Sequence, residues 1–443
     1  MSAHRQPLPW REPWAVATAL AADRGSAAGL VLLEGDGSAL GRQALLGVEP
    51  LEQHCCRGLP GQPGAADPFA ALAAMTTQGG HWLGWLAYEA GAWVEPAPHW
   101  RASDMAMLWA GRYDPLLRFD RERRELWLEG QDPLRLAAMA ARLAALPEGT
   151  AAAGDGWPEG PGVAAESWHW HTPPQRFADQ VGLLQERIAA GDLFQANLTA
   201  CCEAWLAAEA DPLALHQRLR RRCPAPFSGV AVAAGEAAGE AVVSASPERF
   251  LRLTPAGRIE TRPIKGTRPR HRDADADAEA AAALITDPKD RAENVMIVDL
   301  LRNDLGRVCA NGSIQVPQLV GLESYAQVHH LTSVVEGQLA EGRDLVDLLR
   351  ACWPGGSISG APKLRACRRL DELEPVPRGP YCGALFHLDA DGGFDSNILI
   401  RSVMVKDRRL RVQAGCGIVA DSDPSAEAEE MGWKIQPLLK ALA

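Results

Sequence analysis

Four short runs decide the fold: Gly229–Ala234 (GVAVAA), Ala241–Ser246 (AVVSAS), Phe250–Leu253 (FLRL) and Ile259–Thr261 (IET). They follow one another through connections that carry glycine, proline or both. Apolar runs of this length, joined this closely, predict antiparallel hairpins rather than alternating strand–helix units. The series leads into Thr261-Arg262-Pro263-Ile264-Lys265-Gly266-Thr267. Proline fixes φ and pushes Arg262 toward extended geometry, while Gly266 permits a sharp exit and close approach of a ligand. On an extended segment Thr261, Pro263 and Lys265 share one face. One amine is thus held on a stiff segment, which suits a nucleophile. A surface lysine in a turn is the plainer alternative.

Working outward toward the N-terminus, Leu30–Leu33 enters a turn at Glu34-Gly35-Asp36-Gly37, and Trp82–Tyr88 reads as a buried, aromatic-rich strand. Pro133–Leu146 has helical spacing with Asp132 as N-cap. Residues 147–166 are rich in Pro, Gly and Ala without periodicity and predict a linker. It separates an N-terminal region, 1–146, from a catalytic domain over 167–443, with the N-terminal strands expected in the same body. Trp168-His169-Trp170-His171 reads as a structural strand, and 175–192 as an amphipathic helix.

Toward the C-terminus, Asp287-Pro288 predicts the start of a helix over 287–305, with Asp290 and Glu293 one turn apart. Asp423-Pro424 opens another, with Glu427, Glu430 and Lys434 along one face and with Gly432 and Pro437 expected to interrupt or kink it. Two acids from each helix can form a four-carboxylate cluster, for which Mg2+ is the fitting hard cation. A pair of solvated acids per helix is the commoner outcome of such spacing. Between the helices, Trp353–Lys363 lacks the order of a phosphate-binding loop, although its hydroxyls and N–H groups can cradle a carboxylate. Gly383–Leu388, Phe394–Val405 and Leu410–Val419 predict a meander, with Arg401 inside the middle strand and Gly415-Cys416-Gly417 in the last. No Gly-His-Gln elbow surrounds Cys416, so its thiol reads as structural. The predicted class is α+β: a β-sandwich of antiparallel sheets with helices packed on the outside.

The chain has 443 residues, 47% hydrophobic and 23% charged, enough for a large core, and a net charge of −11. That charge gives no reason to expect nucleic acid or an anionic membrane as partner, and an anionic substrate needs local cations or a metal ion. Ten cysteines with no CxxC suggest reduced thiols and a cytoplasmic location. No signal peptide is read at the N-terminus, and no run approaches the roughly 18 apolar residues of a membrane span.

Six ordered motifs resemble the chorismate-utilising enzymes: Ser246–Phe250, Pro263–Thr267, Asp290–Asn294 through Asp304–Arg307, His329–Leu331, Ser359–Lys363 and Ala414–Ser422. The likeness covers 175–443, more weakly the N-terminal part, and implies an anthranilate synthase component I-like fold. Lys265 matches the aminodeoxychorismate-forming branch, where anthranilate synthases carry alanine. Gln195 stands where the isochorismate- and salicylate-forming branches carry a lysine base. The resemblance implies catalytic roles for Lys265 as nucleophile, Glu248 as general acid and His330. It implies substrate contacts from Arg401, Gly415, Cys416, Gly417, Tyr381, Ser359 and Lys434. Glu293 and Glu430 would bind Mg2+, with Asp290 and Glu427 holding its waters. Ammonia would come from a separate glutamine amidotransferase subunit, since no glutaminase triad is visible. Leu32-Leu33-Glu34 resembles part of a tryptophan-binding segment in relatives.

Overall fold

The structure, a computed structural model, describes residues 4–146, 157–160, 162–325 and 328–443. It holds two antiparallel sheets, of twelve and ten strands. Residues before 147 enter both. Val31–Glu34 pairs with Phe227–Val232 in the larger sheet, and His81–Leu86 pairs with Ala384–Leu388 in the smaller.

Side-chain alternation along the larger sheet divides the apolar residues between two cores. Val31, Val242 and Met404 join Trp85, Trp109, Leu385 and Phe386 from the smaller sheet, which makes the inter-sheet core. Their neighbours Leu32, Val243 and Val403 point the other way. They meet Trp14, Phe177, Val181, Leu213, Met431 and Ile435 from the helices Pro13–Arg24, Pro174–Ala189, Pro212–Arg222 and Pro424–Leu442. The sandwich with outer helices is the architecture that the hairpin series predicts.

Five helices begin Asp-Pro. In each the aspartate side chain accepts a backbone N–H of the first turn: Asp67 from Phe69, Asp132 from Leu134, Asp211 from Leu213, Asp287 from Asp290 and Asp423 from Ala426. Proline at N1 costs no hydrogen bond there, and each cap contributes about 1 kcal/mol.

Two expectations change. Arg401 does not lie within a strand. The segment Phe394–Val405 leaves the smaller sheet after Asn397 and enters the larger one at Ser402, and Arg401 sits at the crossing with φ +50°. The helix from Pro424 runs unbroken to Leu442 through Gly432 and Pro437. Packing of Met431, Ile435 and Leu438 into the outer core outweighs the one backbone donor that proline lacks. Of the expected linker, 147–156 and 161 lie outside the described residues. The rest is pinned: Trp157 donates to Asp211, Arg218 donates to the carbonyls of Glu159 and Gly160, and Val163 N–H donates to the Leu442 carbonyl. His171 pairs with Glu203 at 2.9 Å, in keeping with a structural strand.

Beneath the Trp353–Pro362 loop lies Arg378, 2% exposed. Its guanidinium donates to both oxygens of Glu374 at 2.9 and 2.6 Å, to the Ile358 carbonyl at 2.8 Å and to the Asn197 carbonyl at 2.7 Å, over the Tyr88 ring. One buried cation thus ties the loop to the strand Gln195–Trp205. Replacing Arg378 by Met leaves a buried carboxylate and two carbonyls unpaired. It should cost about 3–5 kcal/mol in denaturant unfolding of the ligand-free protein, and a loss below about 1 kcal/mol would show that the pair is not the tie.

Candidate active site

Two chain crossings between the sheets meet at one seam. The first joins Glu240–Ser246 of the larger sheet to Arg249–Leu253 of the smaller, and Glu248 sits in it. The second is the crossing at Arg401. They are stitched together by hydrogen bonds: Ile398 N–H donates to Glu248 O at 3.1 Å, Ser246 Oγ to Ile398 O at 2.6 Å, and Ala245 N–H to Arg401 O at 3.0 Å.

Lys265 approaches the seam from the strand Ile264–Pro269. Its pairing with Val328–Gln338 shifts register between Lys265 and Thr267, a bulge centred on Gly266 at φ +76°. A Cβ on Gly266 would lie 2.9 Å from Asp290 Cγ and from Leu284 Cδ1, so only glycine lets this bulge rest on the helix Pro288–Gly306. The Lys265 amine lies 4.0 Å from Glu293 Oε2 and donates to the Ser357 carbonyl at 3.4 Å. Burial pushes the Glu248 carboxyl up to about 7, against lowering by the Ser357 hydroxyl, the Lys265 charge and the Ile264 N–H. Glu248 is therefore an acid that still carries its proton near neutral pH.

Gly417 shows how tightly the groups converge. A Cβ there would lie 2.5 Å from Gln195 Nε2, 3.2 Å from Glu293 Oε2 and 3.4 Å from Lys265 Nζ. Gly415 and Gly417 lie in the strand Arg409–Ile418, as expected. Beyond Val412 its edge away from Gln195–Trp205 has no strand partner among the described residues. Cys416 points the opposite way, into the outer core, and its thiol donates to the Glu427 carbonyl at 3.5 Å. Gln195 is 1% exposed, and its Oε1 has no hydrogen-bond partner.

His330 lies across the bulge, Nδ1 2.8 Å from Thr267 Oγ1. Burial, aided by repulsion from Arg401, pulls its imidazole down to about 3, so the ring is neutral at working pH. Arg401 is half-buried without an ion pair among the described residues, and desolvation lowers its pKa. A guanidinium in that state is a receptor for an anion.

Asp290, Glu293, Glu427 and Glu430 lie within electrostatic reach of one another, each against a cation. Lys289 lies 2.6 Å from Glu427 Oε1 and 4.0 Å from Glu293 Oε1, Lys434 lies 2.7 Å from Glu430, and Arg268 lies 3.2 Å from Asp290. Glu293 is raised above the usual carboxylate range by burial, and Glu430 and Glu427 add to the rise while Lys265 and Lys289 oppose it. Among the described residues, the group whose ligand atoms lie within 4.8 Å of one another is Cys416, Glu427 and Glu430, and each of the four acids already faces a lysine or arginine.

Ser359, Tyr381 and Lys434 are engaged within the protein. Ser359 is fully buried, and its hydroxyl donates to Gly355 O at 2.8 Å. Tyr381 is 2% exposed beside Arg378 and Glu374. Lys434 donates to the Gly415 carbonyl at 3.0 Å, which anchors its helix to the strand. Sequence reasoning missed Ser357, whose signal was a second hydroxyl two positions before Ser359. Leu33 and Glu34 border a separate cavity of about 440 Å³, also lined by Phe227, Arg249, Asp395 and Asn397. There Glu34 is ion-paired with His216 and Arg220, both at 2.9 Å.

Residues 43–440 match the family model for chorismate binding enzymes. An aminodeoxychorismate synthase component 1 from Klebsiella aerogenes is 39% identical over 362 residues, covering 81% of this chain and 76% of that protein. An anthranilate synthase component 1 from Streptomyces coelicolor is 44% identical over 278 residues, 62% of this chain, and the match spans 53% of that relative's length. The solved anthranilate synthase component I of Streptococcus pneumoniae superposes with a TM-score of 0.75 at 27% identity, covering 91% of this chain and 93% of that one. The chain belongs to the chorismate binding enzyme family.

Proposed function

We propose that the chain aminates chorismate at C4 to give 4-amino-4-deoxychorismate. The observation that carries this reading is an amine, Lys265, beside a proton-bearing Glu248 and within 4.0 Å of Glu293. Lys265 adds its lone pair to C2 of the ring, the double bonds shift, and the C4–O bond breaks. The hydroxyl leaves as water with the proton of Glu248. Ammonia adds at C4, the double bonds return, and the C2–N bond breaks with its electrons on Lys265. The surplus ammonium proton passes to Glu248. Chorismate and ammonia thus give aminodeoxychorismate and water, and both side chains are restored.

Arg401 and the open edge at Gly415–Gly417 receive one carboxylate. Neutral His330 acts as a hydrogen-bonding group. Mg2+, held by Glu293 and Glu430 with Asp290 and Glu427 around its waters, supplies Lewis acidity toward the ring carboxylate when bound. A glutamine amidotransferase subunit delivers the ammonia. The cavity beside Leu33 and Glu34 is the place where tryptophan would bind by the same resemblance. The second reading, anthranilate synthesis, is favoured by the Streptomyces coelicolor relative.

Chorismate, Mg2+ and ammonium with product chromatography separate the two readings. Aminodeoxychorismate is expected, lost in Lys265→Ala and reduced about 10²–10⁴-fold in Glu248→Gln; fluorescent anthranilate, or a fully active Lys265→Ala, would overturn the reading. Glutamine in place of ammonium should give no product from this chain alone. The Glu248 carboxyl, followed by infrared difference titration against Glu248→Gln, should titrate near 7, so the acid is loaded at and below neutral pH and lost above it; a midpoint near 4.5 would remove it as proton donor. Chelation should abolish activity, Mg2+ should restore it, and Glu293→Gln should weaken Mg2+ binding in calorimetry about tenfold or more. Unchanged metal affinity in that variant would place the ion elsewhere.

A further inference from the structure

A buried hydrogen-bond chain with no part in the reaction scheme joins the lysine segment to the helix that carries Glu293. Its centre is Ser333, in the strand Val328–Gln338, and its second member is Asn294, the residue after Glu293. Both are fully buried. Asn294 Nδ2 donates to the Leu331 carbonyl at 3.1 Å, and Ser333 Oγ donates to Asn294 Oδ1. Ser333 Oγ in turn accepts the Val320 N–H at 2.8 Å, and the Ser333 N–H donates to the Pro263 carbonyl at 3.1 Å.

The direction of each bond is fixed, because a carbonyl only accepts and a backbone N–H only donates. The Leu331 carbonyl therefore sets which end of the Asn294 amide faces it. The Val320 N–H leaves the Ser333 hydroxyl its proton for Asn294. Val320 is a β-branched residue at φ +53°, a strained conformation, where the strand Gln315–Ser324 shifts register between Gln318 and Gly321. Its N–H donates to the serine in place of a strand partner.

The chain also reaches both sides of the reactive contact. Leu331 is the cross-strand partner of Lys265, and Pro263 lies two residues before that lysine. Asp290 and Asn294 are i and i+4 on one helix face, with Glu293 between them in sequence. Asp290 rests against the Gly266 bulge, and Asn294 is hooked to the strand. The helix is held at two points one turn apart, which leaves Glu293 little freedom to roll or slide.

We propose that Asn294 and Ser333 form a positioning pair that fixes Glu293 against the Lys265 amine, at the 4.0 Å separation in the structure. This rests on the roles assigned to Lys265 and Glu293 under Proposed function. Both side chains act through the groups they hold. They stop the helix Pro288–Gly306 from moving relative to the strand paired with Lys265, and a misplacement of about 1 Å between reacting groups costs on the order of 10²-fold in rate.

The test compares wild type with Ser333→Ala, Asn294→Leu and the double variant. Asn294→Leu keeps a branched side chain and loses both hydrogen bonds. Rapid acid quench with chorismate and Mg2+, without ammonia, follows the Lys265 peptide adduct in time. Each single variant should form it on the order of 10–10²-fold more slowly, and the double variant no more slowly than the slower single, because one pair is broken only once. A variant that is merely less folded loses adduct amplitude and keeps the rate constant. Rate constants within about twofold of wild type would therefore overturn the proposal, as would effects that multiply in the double variant. Crystals of Ser333→Ala, or of Asn294→Leu where the alanine variant does not fold, give an arm independent of the chemistry. The distance from Lys265 Nζ to Glu293 Oε2 should lengthen by about 1 Å, and an unchanged distance refutes the pair. Turnover by wild type without an adduct on Lys265 refutes the proposed function, and the crystallographic distance then judges the pair alone.

Discussion

Everything in the site depends on one constraint: a lysine amine and a glutamic acid are kept together where little water reaches. Burial disfavours the charged form of the acid and raises its pKa, and the nearby Lys265 charge opposes that rise. Glu248 resolves the conflict by titrating near 7. Glu293 stands on the other side of the amine at 4.0 Å, so Lys265 has a neutral acid on one flank and the carboxylate cluster on the other.

The fold supplies this arrangement through its crossings. A sandwich of two separate sheets would offer two surfaces with no shared edge. Here the chain passes from sheet to sheet at Glu248 and again at Arg401, and the two passages are hydrogen-bonded to each other. The seam therefore brings together the backbones that carry Glu248 and Arg401, more than a hundred positions apart in sequence. Lys265 is delivered by a bulge, and the acids by two helix starts. Each of these positions is locally unusual: positive φ at Gly266 and at Arg401, and Gly417 with no room for a Cβ. Strain and close approach concentrate where the chemistry is placed.

Much of this was legible in the chain. Closely spaced apolar runs gave the antiparallel sheets, and the Asp-Pro pairs at Asp132, Asp287 and Asp423 marked helix starts that the capping bonds bear out. Asp290 with Glu293 and Glu427 with Glu430 could be placed one turn apart on their helices from spacing alone. What the spacing could not reveal was which residues turn inward at irregular backbone. Arg401 read as mid-strand because Phe394–Val405 is continuously strand-like, and nothing local announces a change of sheet. Ser359 drew notice over Ser357 because it belongs to the longer motif, whereas it is Ser357, in the tight turn Gly356–Ile358, whose carbonyl accepts from Lys265. Pro437 read as a break because the packing that overrides it comes from distant residues.

The central claim is that the Lys265 nitrogen bonds a ring carbon during turnover. Rapid acid quench of the enzyme with chorismate and Mg2+, without ammonia, followed by peptide mass spectrometry, reads this directly. The account predicts a mass increase equal to chorismate less one water, on the peptide that contains Lys265. An unmodified Lys265 peptide under conditions of demonstrated turnover, or an adduct on another residue, would contradict it.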